Sequence, residues 1–280
     1  MLRSLLLFLQ ETAYQIMSIP TIFTSGTIIR VLREYEGYLD LVIREEKIAE
    51  SAGPSQFVMI RGWPGDDPIL PRPFDIVQVD PLQHTFRLVI KIEGRATSLL
   101  SLLKTGDKVQ LTGPLGKGIK DFAFSTLGLL VRGVGAAAVV YLAAEAQKRG
   151  IRVFTFLSAA TAGRLVCRNY LQAVSTHLAI ATDDGSEGFE GNAIVLLDRF
   201  TANRRLERIY TCGSKRFARH VKELDAGGVT EGFVFLEGLM ACGMGHCHGC
   251  AAEKQGSRSN GYFLVCKDGP HFPVSEVVIP

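Results

Sequence analysis

Apolar positions recur along this chain in three distinct rhythms, each of which predicts a different kind of structure. Up to residue 118 they fall in short β-rich runs, 27–32, 38–43, 56–61, 86–92 and 108–112, separated by Gly, Pro and Asp clusters. Short strands punctuated by turn residues predict an antiparallel barrel or sandwich over 20–118. Within it, only 97–103 has helical spacing, and it is expected to cap one end of the barrel. From 119 to 231 the rhythm changes. Runs at 127–132, 153–158, 178–182 and 208–212 read as strands, while 136–149, 193–200 and 214–224 read as helices. Strands alternating with helices imply βαβ units around a mostly parallel sheet, with binding loops at the carboxyl ends of the strands. The last region, 232–280, has little periodicity, is rich in Gly, Cys and His, and ends in an apolar tail at 274–279. So small a core needs a staple. The predicted fold class is thus multidomain, β plus α/β: an antiparallel β-barrel, a Rossmann-like α/β domain and a small C-terminal domain.

Residues 1–19 are read as an N-terminal extension. The apolar run at 5–9 imitates a signal peptide but ends at Gln10-Glu11, too short for a hydrophobic region, and no cleavage site follows. Met17, just before the first strand-like run, is an alternative start. No later run reaches the roughly 18 apolar residues of a membrane helix, so a cytoplasmic protein without a membrane span is expected.

Composition narrows the choice. With 47% hydrophobic and 21% charged residues the chain is globular rather than disordered. A formal charge of only +3, with no basic stripe interleaved with aromatics, argues against a nucleic-acid partner. Four of the six cysteines lie in the last forty residues. Such clustering points to metal binding in a reducing compartment rather than to a secreted disulfide scaffold.

That cluster, Cys242-Gly-Met-Gly-His-Cys247-His-Gly-Cys250 followed by Cys266, has the C-x4-C-x2-C…C spacing of a plant-ferredoxin-type 2Fe–2S centre. Gly243, Gly245 and Gly249 are expected to let a tight loop aim its N–H groups at the sulfurs. A zinc site with the same four thiolates is the alternative, although zinc sites usually come as paired C-x2-C knuckles and only one pair is present. A Rieske centre would use His246 and His248, which four available thiolates make unnecessary. The histidines are read as surface residues beside the cluster.

Two further groups of motifs suit nucleotides. Pro71-Arg72-Pro73-Phe74-Asp75 is read as closing a strand-like segment and offers a guanidinium fork between rigid prolines. Ile90-Lys91-Ile92 ends a strand, and Gly94-Arg95-Ala96-Thr97 opens a helical stretch whose free N–H groups suit phosphate oxygens. In the α/β half, Arg132-Gly133-Val134-Gly135 joins a strand to a helix, where backbone can approach a phosphate. Asp183 and the pair Cys212-Gly213 also end strands and belong on the same rim. Cys167 is read as a packing residue. No catalytic acid, base or nucleophile stands out.

In this order the pieces resemble the electron-transfer subunits of NAD-dependent dihydroorotate dehydrogenases, within the ferredoxin reductase-like superfamily. The resemblance spans about 20–280 and is most specific at 240–250 and 265–270. It implies an FAD-binding barrel at 20–118, an NAD(P)-binding domain at 119–231 and a 2Fe–2S domain at 232–280. FAD would be held by Arg72, Pro73, Phe74, Asp75, Ile90, Lys91, Ile92, Ala96 and Thr97. NAD(P)H would lie against Gly133, Val134, Gly135, Asp183, Cys212 and Gly213. Electrons would pass between NAD(P)H, FAD, the cluster and a separate flavoprotein dihydroorotate dehydrogenase subunit in a hetero-oligomer. The chain departs from the family pattern at five places: Asp75 replaces Ser or Thr, Ala96 and Arg132 replace glycines, Ala136-Ala137 displace the usual Ile-Ala/Gly-Pro, and Ser214 replaces a proline. Two other functions use similar parts. One is a subunit of a sulfide dehydrogenase-like or transhydrogenase-like complex, and the other a cluster-binding module without turnover.

Overall fold

A computed structural model describes residues 22–256 and 261–279. The N-terminal extension and Met17 lie outside the described residues. The first six strands are β1 (Ile22–Leu32), β2 (Tyr38–Arg44), β3 (Phe57–Arg61), β4 (Arg72–Asp80), β5 (Thr85–Lys91) and β6 (Lys108–Leu115). They close an antiparallel barrel in the order β1-β2-β5-β4-β3-β6. Alternation fills its interior: Leu39, Leu41 and Ile43 of β2 meet Leu88 and Ile90 of β5 and Val109 and Leu111 of β6, all buried. Helix α1 (Glu46–Ser51), capped by the Glu45 carboxylate on the Ile48 N–H at 2.7 Å, was not signalled by the sequence pattern. Helix α2 (Arg95–Leu100) buries Ala96 and Leu100 against one end of the barrel, as the cap expected at 97–103.

One local expectation is corrected. Arg72-Pro73-Phe74-Asp75 does not close a strand but opens β4. Residues 72–75 pair only with β3, and pairing with β5 begins at Ile76. Pro73 therefore sits where one edge of the strand is free, the position at which a missing N–H disrupts least.

The second layer is a seven-stranded sheet. Strands β7 (Thr126–Arg132), β8 (Arg152–Ala159), β9 (His177–Thr182), β10 (Phe189–Glu190), β11 (Arg208–Cys212) and β12 (Glu231–Phe235) run parallel in the order β10-β9-β8-β7-β11-β12. Helices α3 (Gly135–Lys148), α4 (Arg168–Val174), α5 (Ile194–Thr201) and α6 (Lys215–Ala226) cover it. Beyond β12 come a short hairpin, β13 (Ala251–Glu253) with β14 (Tyr262–Leu264), and the turn of helix α7 (Val265–Asp268). Strand β15 (His271–Pro273) then returns to pair antiparallel with β12.

The layers are locked together by buried polar contacts. Helix α3 lies between sheet and barrel, and the hydroxyl of its Tyr141 donates to the Ala52 carbonyl at 3.0 Å. Buried Asp40 of the barrel accepts from Tyr170 Oη of α4 at 3.0 Å and pairs with Arg87 Nε at 3.4 Å. The C-terminal segment is tied to both layers: β15 joins the sheet, while His271 Nδ1 meets Ser55 Oγ of the barrel region at 2.7 Å. Among the described residues no helix is long and apolar enough to cross a membrane.

Candidate functional site

All six cysteines are free thiols. Cys242, Cys247, Cys250 and Cys266 converge as the sequence pattern requires, and they do so as an asymmetric set. Cys250 and Cys266 are buried with their sulfurs 3.2 Å apart, whereas Cys242 is half-buried and Cys247 exposed. Backbone N–H groups point at the sulfurs: Met244 and Cys247 at Cys242 Sγ, both at 3.4 Å, and Gly245 at Cys266 Sγ at 3.1 Å. Burial opposes ionisation of Cys242, but donation from the backbone of Cys247, Met244 and His246 outweighs it and brings the thiol down to about 6. Burial and the neighbouring Cys250 instead push Cys266 up to about 12. A bound cation must therefore displace a proton there.

The spacing of the sulfurs discriminates between metals. Four thiolates about 2.3 Å from a single zinc would all stand about 3.8 Å apart. Among the described residues no three of these sulfurs lie within 4.8 Å of one another. Cys250 with Cys266 and Cys242 with Cys247 form two separate thiol pairs, an arrangement that suits two irons better than one zinc.

Loop geometry partly differs from expectation. Gly243 and Gly245 have left-handed φ of 70° and 83°, but the third left-handed residue is His248 at 58° rather than Gly249. Its ring nitrogen Nδ1 lies 2.9 Å from the Tyr262 hydroxyl of β14, which holds the turn. A Cβ on Gly243 would come within 2.8 Å of Met59 and 2.9 Å of Leu115, so the cluster loop lies directly on the barrel.

Two adjoining cavities occupy the groove between the layers. The first, about 460 Å³, is lined by the predicted flavin residues Arg72, Pro73, Phe74, Asp75, Lys91, Ala96 and Thr97. Alternation along β5 turns Lys91 to this cavity and Ile90 into the barrel core, while Ile92 packs half-buried against that core. The N–H groups of Glu93 and Gly94 are already occupied by Thr97 Oγ1, each at 3.0 Å. Arg72 Nη1 rests on the Leu70 carbonyl at 2.7 Å. The second cavity, about 590 Å³, is lined by Gly133, Val134, Cys212 and Gly213 at the carboxyl ends of β7 and β11. Gly135 lies behind its wall, where a Cβ would meet the Cys212 carbonyl carbon at 2.5 Å. Asp183 is engaged by Arg132, whose guanidinium takes both carboxylate oxygens (3.1 and 2.5 Å) and Ser158 Oγ (2.9 Å), fastening the ends of β7, β8 and β9 together. Both volumes fall in the range of cofactor sites.

Lys91, Glu93, Val134, Leu236 and Glu237 line both cavities, so the two meet. Leu236, Glu237 and Gly238 went unnoticed in the sequence, and Met240 was noted only as the start of the cysteine motif, not as a cavity residue. The signal available was their place just beyond a strand, on the rim where α/β sheets bind ligands. Gly238 lines the smaller cavity and also touches the cluster loop. A Cβ there would stand 3.3 Å from Cβ of Cys250. Cys212 faces the junction, its thiol pushed well up by burial and then by Glu237 and Asp75. Cys167 is buried in the core, in agreement with a packing role.

A flavin-type barrel, a nucleotide-type sheet and a four-thiolate loop joined at one wall define the ferredoxin-reductase class with an added iron–sulfur module. Its overall shape agrees with a solved NADH-dependent reduced ferredoxin-NADP oxidoreductase at a TM-score of 0.81, with 25% identity, covering 91% of this chain and 90% of that one. A ferredoxin reductase of carbazole 1,9a-dioxygenase shares the fold at a TM-score of 0.63 and 19% identity, over 76% of this chain and 68% of that one. Residues 237–278 match the iron–sulfur cluster binding domain of dihydroorotate dehydrogenase B. The dihydroorotate dehydrogenase B (NAD(+)) electron transfer subunit of Desulforamulus reducens is 34% identical over 234 residues, 82% of this chain and 88% of that one. Its counterpart from Enterococcus faecalis is 33% identical over 247 residues, 85% and 92% of the two chains. The chain belongs to the family of dihydroorotate dehydrogenase B electron transfer subunits.

Proposed function

We propose that this chain carries electrons from NAD(P)H through FAD to a 2Fe–2S cluster and on to a flavoprotein dihydroorotate dehydrogenase subunit. The relatives' names supply the partner and the nicotinamide. The residues supply the route. Gly133, Val134, Cys212 and Gly213 hold the nicotinamide dinucleotide in the larger cavity, with the Arg132–Asp183 pair closing its rim. Arg72, Pro73, Phe74, Asp75, Lys91, Ala96 and Thr97 hold FAD in the smaller one. Bound there, FAD would supply the conversion between two-electron hydride transfer and single-electron transfer. Cys242, Cys247, Cys250 and Cys266 hold the cluster.

The observation that carries this reading is the one-residue wall at Gly238, with a cofactor-sized cavity on one side and the buried thiol Cys250 on the other. A structural metal knot without redox function needs no such proximity. By function the chain divides at 118 and 231, although β12 and β15 weave the last segment into the sheet. Six free thiols fit the reducing conditions of a cytoplasm.

Anaerobic purification of the chain co-expressed with a dihydroorotate dehydrogenase catalytic flavoprotein tests the proposal. Expected are a stable complex and about two irons, two labile sulfides and one FAD per chain. No complex in gentle anaerobic conditions, or association with a different dehydrogenase alone, contradicts the partner assignment.

A further inference from the structure

The smaller cavity contains two carboxyl groups without partners. Asp75 lies where β4 passes from pairing with β3 to pairing with β5, and Glu237 stands just beyond β12 on the opposite wall. Among the described residues neither carboxyl has a hydrogen bond or an ion pair. The cations nearby are committed elsewhere. Lys91 of β5 is bound to Glu93 at 2.7 Å, Arg95 of α2 to Asp67 at 2.7 Å, and Arg72 of β4 to the Leu70 carbonyl at 2.7 Å. From β11 comes only the Cys212 thiol, which stays neutral. Phe57, Val89, Ala96 and Met240 make much of the remaining wall apolar.

Asp75 is half-buried and Glu237 exposed on the two sides of one cavity, with no cation paired to either, so ionising Asp75 is the costlier of the two. The proton settles on the less solvated group. Burial, and after it the charge of Glu237, push Asp75 up to about 7. An ionised Asp75 would offer the ring only acceptors, whereas a neutral carboxyl has one O–H to donate. Serine or threonine, the usual residue at this place in the family pattern, offers the same kind of donor.

We propose that Asp75 is the acid of the flavin cavity: it keeps its proton, presents the carboxyl O–H to the isoalloxazine ring, and leaves Glu237 to carry the charge. The assignment rests on the FAD reading above. Flavin affinity then depends on a proton that the protein holds. Affinity is full while Asp75 is neutral, and it falls as rising pH ionises the group, by up to about tenfold per pH unit.

The test is the FAD dissociation constant of the full chain, cluster intact and anaerobic, from pH 6 to 9 by flavin fluorescence quenching. Wild type should weaken progressively as the pH rises above 7. Asp75→Asn, which cannot ionise, should bind with a flat profile. Glu237→Gln should move the wild-type transition to lower pH, because removing the repelling charge eases ionisation of Asp75. A flat wild-type profile, or the same slope in Asp75→Asn, overturns the assignment while leaving FAD binding intact. No FAD binding at any pH in any of the three proteins overturns the flavin reading itself, and the assignment with it.

Discussion

Gly238 and Cys250 stand back to back: a methyl group on the glycine would lie 3.3 Å from Cβ of the cysteine. On the glycine's other side is the smaller cavity, which we propose holds the flavin. A larger residue must therefore displace either the cavity wall or the buried end of the cluster loop. Gly238→Val should slow electron passage from reduced flavin to the cluster, with partial loss of iron, while NADH still reduces the flavin. Rapid-mixing spectroscopy at flavin and cluster wavelengths separates the two steps. Unchanged cluster reduction would show that electrons take another way.

Gly213 makes a second tight contact, this time between the loops of the larger cavity. It has a left-handed φ of 85°, and a Cβ would strike the Arg132 carbonyl. Strain and overlap together place the effect of Gly213→Ala at about 1–3 kcal/mol or more. NADH affinity should fall at least tenfold with FAD and iron contents retained. An unaltered NADH affinity would move the nicotinamide away from this rim.

How much of this was legible beforehand depended on how local each signal was. The four cysteines announce themselves because the thiolates of Cys242, Cys247 and Cys250 are set by spacing within one loop. Arg72 and Asp75 were singled out and do line a common cavity, but the strand they open was misread, because Pro71 and Pro73 look like strand breakers unless one edge is known to be free. Helix α4 escaped notice because only Leu171 of its residues is buried, too few to make a period. Glu237 was missed for a long-range reason. The strand before it, β12, lies within a segment that reads as Gly- and Cys-rich loop, and only pairing with β11 and β15 shows it to belong to the sheet.

Leu239 is 88% exposed, and its carbonyl lies opposite Gly249 in the same loop as the exposed ligand Cys247. Cys266 and Pro270 are buried, and of the 266–270 segment only Lys267 is exposed. The surface available to an electron-accepting partner is therefore Leu239 with His246, Cys247, His248 and Tyr262. A large apolar residue in such a place acts as an anchor worth about 1–2 kcal/mol or more. Leu239→Arg should weaken the complex with the catalytic flavoprotein at least tenfold and leave the visible spectrum of the free chain unchanged. Titration calorimetry measures the first quantity and absorbance the second.

His271 links the cluster segment to the barrel through Ser55, and burial, followed by Lys117, pushes it down to about 4. The unfolded chain takes up this proton near pH 6.5, whereas the folded chain refuses it until about 4. Stability is thus full above 6.5 and declines as pH falls toward 4, by up to roughly 3 kcal/mol. His271→Gln should flatten that decline in urea unfolding relative to wild type. The cluster ligands are the same in both proteins, so their own acid lability cancels in the difference.

The central claim is that one chain joins a nicotinamide, a flavin and a 2Fe–2S centre in a single electron path. Anaerobic titration of the purified protein with NADH, followed by electron paramagnetic resonance at low temperature, tests it most directly. The expected result is bleaching of flavin absorbance together with a rhombic signal, below the free-electron g value on average, integrating to about one spin per two irons. That signal should vanish in Cys250→Ser. Stoichiometric zinc in place of iron, or a flavin that NADH reduces with no cluster signal at any equivalence, would contradict the path.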